Sequence, residues 1–247
     1  MASVALRMEA VTSAYRGGPP VLRGVDIGLR AGELATVRGP NGSGKTTLLK
    51  VAAGLLRPLS GRLQQDGDVG YVPQTGADPP PRLSASRWFE FACPPGCAPD
   101  AVRILDELEG PPAFSPLLHL SGGSLAKVLL AAALAGPGRL LVLDEPFASL
   151  DAASRTTAAA LIHRAAAEGC AVLLSDHTDT AVAGPTLRMH EGLLVADGNE
   201  PPDHWRVTVR DSAGALSVAV VTSDERDRLL LDVLTAGGHV LGVQEVR

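Results

Sequence analysis

A glycine-rich stretch near residue 40 constrains the fold of this chain more than any other feature. It reads GPNGSGKT, from Gly39 to Thr46, and lies between the strand-like run LATVRG and the helix-like run KTTLLKVAAGLL. Its glycines allow successive backbone N–H groups to turn toward one phosphate, Lys45 can reach the β- and γ-phosphate oxygens, and the Thr46 hydroxyl can contact Mg²⁺. The stretch therefore predicts a phosphate-binding loop (P-loop) between a strand and a helix.

A second stretch, LLVLDEP at residues 140–146, supplies the acidic groups that such a site needs. Continuous aliphatic runs at 140–143 and 171–174 are typical of strands buried on both faces of a parallel sheet. Ligands bind at the carboxyl ends of parallel strands, so Asp144 is placed to hold Mg²⁺ and Glu145 to orient or deprotonate an attacking water. The two stretches together predict one nucleotide site.

The order of the elements predicts an α/β fold. Strands alternate with helices through most of the chain, which favours a mainly parallel sheet. Residues 4–30 instead alternate apolar and polar side chains, which predicts an antiparallel β layer ahead of the first parallel strand. Residues 75–119 are rich in proline around one predicted helix, APDAVRILDELEG, and we expect a small helical insertion there.

The composition changes at ADGNEPPDH, residues 196–204, where glycine and proline indicate a linker. Two strand-like runs follow, then a helix with a capping box at Thr222 and Glu225 and a stop signal at Gly237, then a third strand. We therefore expect a nucleotide-binding domain at 1–200 and a β-β-α-β appendage at 203–247.

Charge and hydropathy exclude several classes of protein. The net charge is −5 and no run of Lys or Arg is present, which argues against a nucleic-acid partner. Arg7 and Glu9 interrupt the N-terminal region, so a secretory signal is not expected. The longest apolar stretch is broken at residues 136–139, too early to span a bilayer. We expect a soluble, cytoplasmic chain.

The cysteines raise one alternative. Cys93 and Cys97 in CPPGC could form half of a metal site, but no second Cys/His pair at suitable spacing accompanies them. Cys170 leaves the count odd. Reduced thiols are therefore the expected state.

A third motif, LSGGS at residues 120–124, directly precedes the helix-like run LAKVLLAAALA. A serine and two glycines at a helix N-terminus form an anion site from backbone donors and the helix dipole. With the two stretches above, this motif makes residues 1–200 resemble the nucleotide-binding subunit of an ABC transporter. The resemblance implies a P-loop NTPase that uses ATP and Mg²⁺, in which Ser121, Gly122 and Gly123 reach the γ-phosphate held by a second copy.

The resemblance also implies individual roles. Tyr15 would stack on adenine, Gln74 would touch Mg²⁺ and water and sense the membrane partner, His177 would contact the γ-phosphate, and Asp151 would cross the dimer interface. The expected nucleotide-binding residues are Tyr15, Gly39, Pro40, Asn41, Gly42, Ser43, Gly44, Lys45, Thr46, Thr47, Gln74, Ser121, Gly122, Gly123 and Asp151. Thr46, Gln74 and Asp144 are the expected metal ligands, and Glu145 and His177 the expected catalytic residues.

Two features depart from the pattern of the family. Ser124 stands where the family usually has glutamine, which leaves phosphate contact by the preceding residues intact but brings turnover and coupling into question. Gln74 follows Lys45 by 29 residues, a short interval that predicts a trimmed β layer between them.

Three uses of the ATP compete. A transporter motor would pair with a second copy or a related ATPase subunit and dock, on the inner face of the membrane, on a separate transmembrane permease. The stretch around the P-loop resembles haem- and drug-exporter ATPases, so we expect export. Chromosome-maintenance ATPases carry long coiled coils between the P-loop and LSGGS, whereas here Ser121 follows Lys45 by only 76 residues. A cluster-assembly or translation-associated ATPase stays as the alternative.

Overall fold

The computed structural model describes residues 3–74, 82–136, 138–176, 182, 184–196 and 204–245. The chain divides into two compact units, Met1–Asp197 and Gly198–Arg247, and the division falls within the predicted linker. His177 lies outside the described residues, as does most of that linker.

A six-stranded sheet forms the centre of the first unit. Its strands, in spatial order, are β5 (Val69–Val72), β6 (Leu140–Asp144), β7 (Ala171–Ser175), β3 (Leu34–Arg38), β8 (Thr186–His190) and β9 (Leu193–Ala196). All neighbouring pairs are parallel except β8 with β9. This arrangement confirms the predicted α/β fold with a mainly parallel sheet.

Both faces of the sheet are covered, which explains the unbroken aliphatic runs. Successive side chains of a strand point to opposite faces. In β6, Leu140 and Val142 join the core that contains α1 (Lys45–Ala52), while Leu141 and Leu143 join the core that contains α4 (Gly122–Leu134) and α5 (Ala152–Ala167). Every residue of β6 and β7 is buried. The strands are therefore held by burial on two sides.

An antiparallel layer covers the α1 side of this unit. It contains β1 (Val4–Ala14), β2 (Pro20–Arg30) and β4 (Ser60–Gln65), in the order β2-β1-β4. Leu6, Met8 and Leu22 are fully buried against the core. The predicted N-terminal layer is confirmed, and β4, from the short interval between Lys45 and Gln74, completes it.

Within its described residues, the proline-rich region contains two α-helices where one was predicted, and a short 3-10 helix at Leu117–His119. α3 (Ala98–Glu107) corresponds to the predicted helix, and α2 (Ala85–Ala92) is additional. α2 is short, but Ser84 caps it by accepting a hydrogen bond from the Arg87 backbone at 3.3 Å, and Phe89 is fully buried against the core. Its stability comes from tertiary burial, which local propensity in a proline-rich stretch does not reveal.

The three cysteines form no disulfide. Across the described ranges, no cluster of three or more His, Cys, Asp or Glu side chains could hold a metal ion. Burial raises the pKa of Cys93 and of Cys170 to about 11, so both are predominantly protonated thiols near neutral pH. The CPPGC stretch thus connects α2 to α3.

The second unit has the predicted order of elements, β-β-α-β. They are β10 (His204–Arg210), β11 (Leu216–Thr222), α6 (Ser223–Thr235) and β12 (His239–Glu245), and the antiparallel sheet has the order β11-β10-β12. Val207 and Val209 of the central strand are buried. Gly237, with φ +77°, ends the helical segment as a left-handed residue.

No helix within the described part of the chain is both long and apolar enough to cross a bilayer.

Candidate active site

The carboxyl ends of β3, β5 and β6 meet at one edge of the sheet, and a cleft of about 340 Å³ opens there. Nine residues line it: Val21, Asn41, Gly42, Gly44, Lys45, Thr46, Thr47, Gln74 and Glu145. All but Val21 were predicted site residues. A larger and more apolar cleft, about 800 Å³ between β2, β9 and α5, contains none of the predicted residues. The smaller cleft, which contains the predicted phosphate-binding residues, is therefore the candidate nucleotide site.

Close backbone approach explains two of the loop glycines. A Cβ on Gly39 would lie 2.2 Å from the Met189 carbonyl oxygen, so any side chain there would displace β8. Gly44, at the start of α1, has φ +110° and would also meet the side chain of Met189. The loop is further fixed by the Gly192 N–H, which donates to the Ser43 carbonyl at 3.0 Å.

Gly42 has a different role from these two. It has φ +81°, and a Cβ added to it would meet no atom within 4 Å. The backbone at Gly42 therefore borders open space in the cleft, where a phosphate can approach the loop closely. In residues 39–46, Gly39 and Gly44 are therefore packed against β8, while Gly42 faces the open cleft.

Lys45 folds back onto the loop. Its Nζ donates to the carbonyl oxygens of Gly39 at 2.8 Å and Pro40 at 3.0 Å. Burial lowers the pKa of Lys45, and the negative charges of Glu145 and Asp144 oppose that shift. A polyphosphate at the loop would supply further negative charge for this ammonium group.

Tyr15 stands over the beginning of α1. Its hydroxyl accepts a hydrogen bond from the Thr47 hydroxyl at 3.4 Å, and the Lys50 ammonium lies 5.9 Å from the ring centroid. The residue is 45% exposed, so the ring is available for stacking. The structure thus brings Tyr15 to the P-loop helix across 32 residues of sequence.

Asp144 and Glu145 are organised by a residue that the sequence analysis did not identify. The Ser175 hydroxyl donates to Asp144 Oδ1 at 2.7 Å and accepts from the Glu145 backbone N–H at 2.9 Å. Asp144 and Ser175 are register partners at the ends of parallel β6 and β7. Ser175 is the polar last residue of the otherwise aliphatic strand β7, and this sequence feature could have identified it as a site residue.

Glu145 adopts an uncommon backbone conformation, with φ +51°. Such a left-handed residue costs about 1–2 kcal/mol when it is not glycine. Its N–H bond to Ser175 holds the backbone, and its Oε2 accepts from Gln74 Nε2 at 3.0 Å. Because Gln74 donates through its nitrogen, its carbonyl oxygen is the atom suited to a cation.

The residues present fit a Mg²⁺-bound polyphosphate. Asp144 is 1% exposed, yet its Oδ2 has no hydrogen-bond partner within the described structure. The buried Ser43 hydroxyl has none there either. A buried carboxylate oxygen without a donor is costly unless a ligand completes it. Oxygen atoms of Asp144, Thr46 and Gln74 are the donors that Mg²⁺ prefers.

The LSGGS loop is a separate feature that does not line the cleft. Ser121 is the N-cap of α4 and accepts from the Ser124 backbone N–H at 3.2 Å. A Cβ on Gly123 would lie 2.7 Å from the Ser149 carbonyl oxygen, so glycine is required for this approach. The loop therefore lies against Ser149, two residues before Asp151 in the chain. Gly122 is exposed.

Asp151 caps α5. Its Oδ1 accepts from the Ser154 backbone N–H at 2.8 Å, and this hydrogen bond is the main reason that the pKa of Asp151 is below its usual value. The side chain is exposed, and it is charged at neutral pH. It is accessible for a contact with a second copy.

Replacing Ser175 with alanine tests the organisation of the two carboxylates. The change removes the donor to Asp144 and the acceptor of the Glu145 N–H. We expect the free energy of unfolding to fall by about 1–3 kcal/mol. We expect ATP hydrolysis to fall by about 10- to 100-fold because the carboxylates lose their positions. Denaturant unfolding and phosphate release measure these effects.

Ser13→Ala is the matched control. Ser13 is also fully buried, but its hydroxyl has no hydrogen-bond partner within the described residues. Its removal should not lower the free energy of unfolding and should leave hydrolysis unchanged. Equal effects of the two substitutions would contradict a special role for Ser175.

The chain is similar to a family of known proteins. Residues 22–148 match the family described as "ABC transporter". The zinc import ATP-binding protein ZnuC of Pseudomonas fluorescens strain Pf0-1 is 37% identical over 183 residues, which cover 72% of this chain and 69% of the relative. The Fe(3+) ions import ATP-binding protein FbpC of P. fluorescens strain Pf-5 is 34% identical and covers 78% of this chain and 61% of the relative.

Solved structures share the fold. The dimeric cassette MJ0796, in a post-hydrolysis state with ADP and Pi, superposes with a TM-score of 0.70 at 22% identity over 76% of this chain and 96% of that one. A structure described as the ATP binding subunit of an ABC transporter has the same TM-score at 21% identity and covers 93% of this chain and 94% of that one.

The family match extends from Leu22 in the antiparallel layer, through the P-loop, to the carboxylates and Ala148. It therefore contains both Lys45 and Glu145. The chain belongs to the ABC transporter family and is one of its ATP-binding subunits, an ATPase that uses ATP with Mg²⁺.

Proposed function

We propose that this chain is the motor subunit of a transporter, which pairs head to tail with a second copy or a related subunit and docks on a separate transmembrane permease at the inner face of the membrane. One observation supports the pairing above all. The P-loop and the Glu145 carboxylate line one cleft, whereas the anion-binding start of α4 does not line it. A loop of that kind needs a nucleotide from elsewhere, and a second copy offers one.

Lys45 binds the β- and γ-phosphate oxygens in this mechanism. It leaves the carbonyl oxygens of Gly39 and Pro40, and the phosphate charge stabilises the ammonium that burial disfavours. Thr46, Asp144 and Gln74 hold Mg²⁺, which when bound offsets phosphate charge. Asp144 needs no rearrangement of the strand, because Ser175 already fixes its other oxygen.

Glu145 orients the attacking water. Gln74 holds Oε2, and the carboxylate accepts a proton from the water. The water oxygen bonds to the γ-phosphorus, the bond between that phosphorus and the bridging oxygen breaks, and the proton passes to the released phosphate. The products are ADP and inorganic phosphate. Tyr15 stacks on adenine, and His177 contacts the γ-phosphate.

Glu145→Gln tests this mechanism and the pairing together. The amide keeps the shape of the side chain but removes the carboxylate, so hydrolysis should fall by about 10²- to 10⁴-fold. ATP should then hold two copies together, because the LSGGS loop of each contacts a nucleotide that is not cleaved. Size-exclusion chromatography with ATP should show a dimer.

Controls separate the two parts of the experiment. Adding Ser121→Arg fills the anion site and should restore the monomer. Adding Ser84→Arg changes a serine with the same N-cap role on α2 and should leave the dimer intact. Lys45→Ala should abolish nucleotide binding. Wild-type hydrolysis by Glu145→Gln would contradict the catalytic role, and a monomer with bound ATP would contradict the pairing.

The direction of transport is a further part of the proposal. The sequence analysis expected an exporter, whereas the relatives named above are import proteins for zinc and for Fe(3+). We propose import of a metal ion or a metal complex, on the strength of those names. They also favour a transporter motor over the cluster-assembly or translation alternative.

Removal of the chain from its native cell tests the direction. Cellular zinc or iron, measured by mass spectrometry of washed cells, should fall when the chain is absent. Restoring the wild-type chain should restore the metal, whereas restoring Lys45→Ala should not. Metal accumulation in the cells without the chain would favour export.

We propose that the C-terminal unit is a module separate from nucleotide binding, since the proposed phosphate and metal residues all precede it. Its deletion, residues 203–247, should leave the affinity for ATP unchanged. Fluorescence titration with a nucleotide analogue measures that affinity, and circular dichroism verifies folding. A folded truncated chain without nucleotide binding would contradict this domain boundary.

A further inference from the structure

The strand β11 lies at one edge of the sheet in the second unit. It pairs with β10 on one side, and no described strand pairs with its other side. α6 packs against the sheet, and Val207 of β10 is fully buried. Val207 lies opposite Ala219 of β11, so the side chains two positions apart from 216 to 220 point to the other face. They are Leu216, Val218 and Val220, and each is more than half exposed.

The free side of β11 presents the backbone groups of the same three residues. In an antiparallel pair, residues that exchange hydrogen bonds alternate with residues that do not. The Asp211 N–H donates to the Ala215 carbonyl at 3.0 Å, which makes these two a hydrogen-bonded pair. Leu216, Val218 and Val220 therefore fall at positions that do not bond to β10. Their N–H and C=O groups point away from β10, toward the free side.

The opposite edge strand of this sheet is interrupted. In β12, the register with β10 passes from Val240 to Gly242 and leaves Leu241 as an extra residue, which is a β-bulge. β11 keeps one register with β10 along its whole length, and its sequence, LSVAVVT, contains no charged residue and no proline. Bulges, charges and prolines are features that prevent a further strand from adding to an edge. β11 has none of them and is open to another strand.

A second β11 is complementary to this edge. If two copies lie antiparallel with Ala219 opposite Ala219, position 218 lies opposite position 220 of the second copy, and position 216 lies opposite position 222. Outward backbone groups then meet outward backbone groups along the whole strand, and each such pair exchanges two hydrogen bonds. Val218 lies beside Val220 of the second copy on the exposed face. The strand can therefore pair with itself in full.

Pairing of the ATPase subunits favours a second copy over an unrelated strand. In a symmetric dimer, one two-fold axis relates the two copies and therefore also their C-terminal units. Two edges within one assembly meet at a high effective concentration, whereas a separate strand must bind from solution. A contact made by one strand of seven residues is small, so it gains most from this linkage.

We propose that β11 of one copy adds antiparallel to β11 of a second copy, which joins the two C-terminal sheets into one sheet of six strands within the ATPase dimer. This inference rests on the proposed head-to-tail pairing and adds a second contact to it. It gives the C-terminal unit a role in assembly that is separate from nucleotide binding.

Hydrogen exchange of single amides, read by mass spectrometry with fragmentation, tests the strand contact. In Glu145→Gln, addition of ATP should slow exchange of the three outward amides of β11 by about 10-fold or more, because the second copy supplies their acceptors. The amides of Ser217 and Ala219 are bonded to β10 in both states and should change much less. This alternation along one strand distinguishes edge pairing from general stabilisation of the unit.

Substitution of Val218 tests the same contact through the dimer dissociation constant, measured by analytical ultracentrifugation of Glu145→Gln with saturating ATP. Val218→Lys should raise that constant by about 10- to 100-fold, because a symmetric dimer loses the valine contact twice. Val218→Thr keeps the branched shape and the backbone groups, and should stay within about 3-fold of the parent. Denaturant unfolding verifies that each variant folds.

Leu241→Lys is the matched control. Leu241 is also an exposed apolar residue of an edge strand, but it lies at the bulge of β12. A lysine there should leave the dissociation constant unchanged. If Leu241→Lys weakens the dimer as much as Val218→Lys, the added charge explains the effect and the role of β11 is wrong.

The other outcomes separate this inference from the pairing. If Glu145→Gln dimerises with ATP and the outward amides exchange as fast as in the monomer, the β11 contact is wrong and the pairing stands. If those amides already exchange slowly in the monomer, the edge is covered within the chain and the contact is also wrong. If Glu145→Gln binds ATP but never dimerises, the pairing fails and this inference fails with it.

Discussion

Burial of β3, β6 and β7 on both faces of one sheet is the constraint on which the site depends. A shift of one residue would exchange every side chain of such a strand between two differently packed cores, so the packing of both cores opposes it. The carboxyl ends of the strands are therefore fixed relative to each other. Asp144 at the end of β6 consequently lies beside Ser175 at the end of β7. The Ser175 hydroxyl binds both the Asp144 carboxylate and the backbone N–H of Glu145. The P-loop begins at the end of the neighbouring β3.

Close backbone contacts hold the P-loop and the LSGGS loop against the rest of the first unit. Gly39 abuts the Met189 carbonyl and Gly123 abuts the Ser149 carbonyl, and neither contact leaves room for a Cβ. These glycines have a steric function, while Gly42 borders open space. Glycine thus allows close packing of the backbone at Gly39 and Gly123, and exposes the backbone to a ligand at Gly42.

Several polar groups expected to act in the site are bound to groups of the chain itself. Lys45 is bound to the loop carbonyls and Gln74 to Glu145, and the Ser121 hydroxyl is bound to Ser124. In the proposed mechanism, ATP and a second copy replace these internal partners. Asp144 Oδ2 is the exception, since it is buried without a donor within the described structure. In that mechanism, a bound cation would offset the energetic cost of that atom.

The sequence by itself determined the parallel sheet, the P-loop and the acidic strand end, because each rests on local spacing or on an unbroken aliphatic run. It also placed nearly every residue of the cleft. Tertiary structure alone decided the rest. α2 forms because Phe89 is buried, Ser175 reaches Asp144 across two strands, and Gln74 contacts Glu145 across 71 residues. Hydrogen bonds between side chains distant in sequence depend on register and packing, and no local pattern records them.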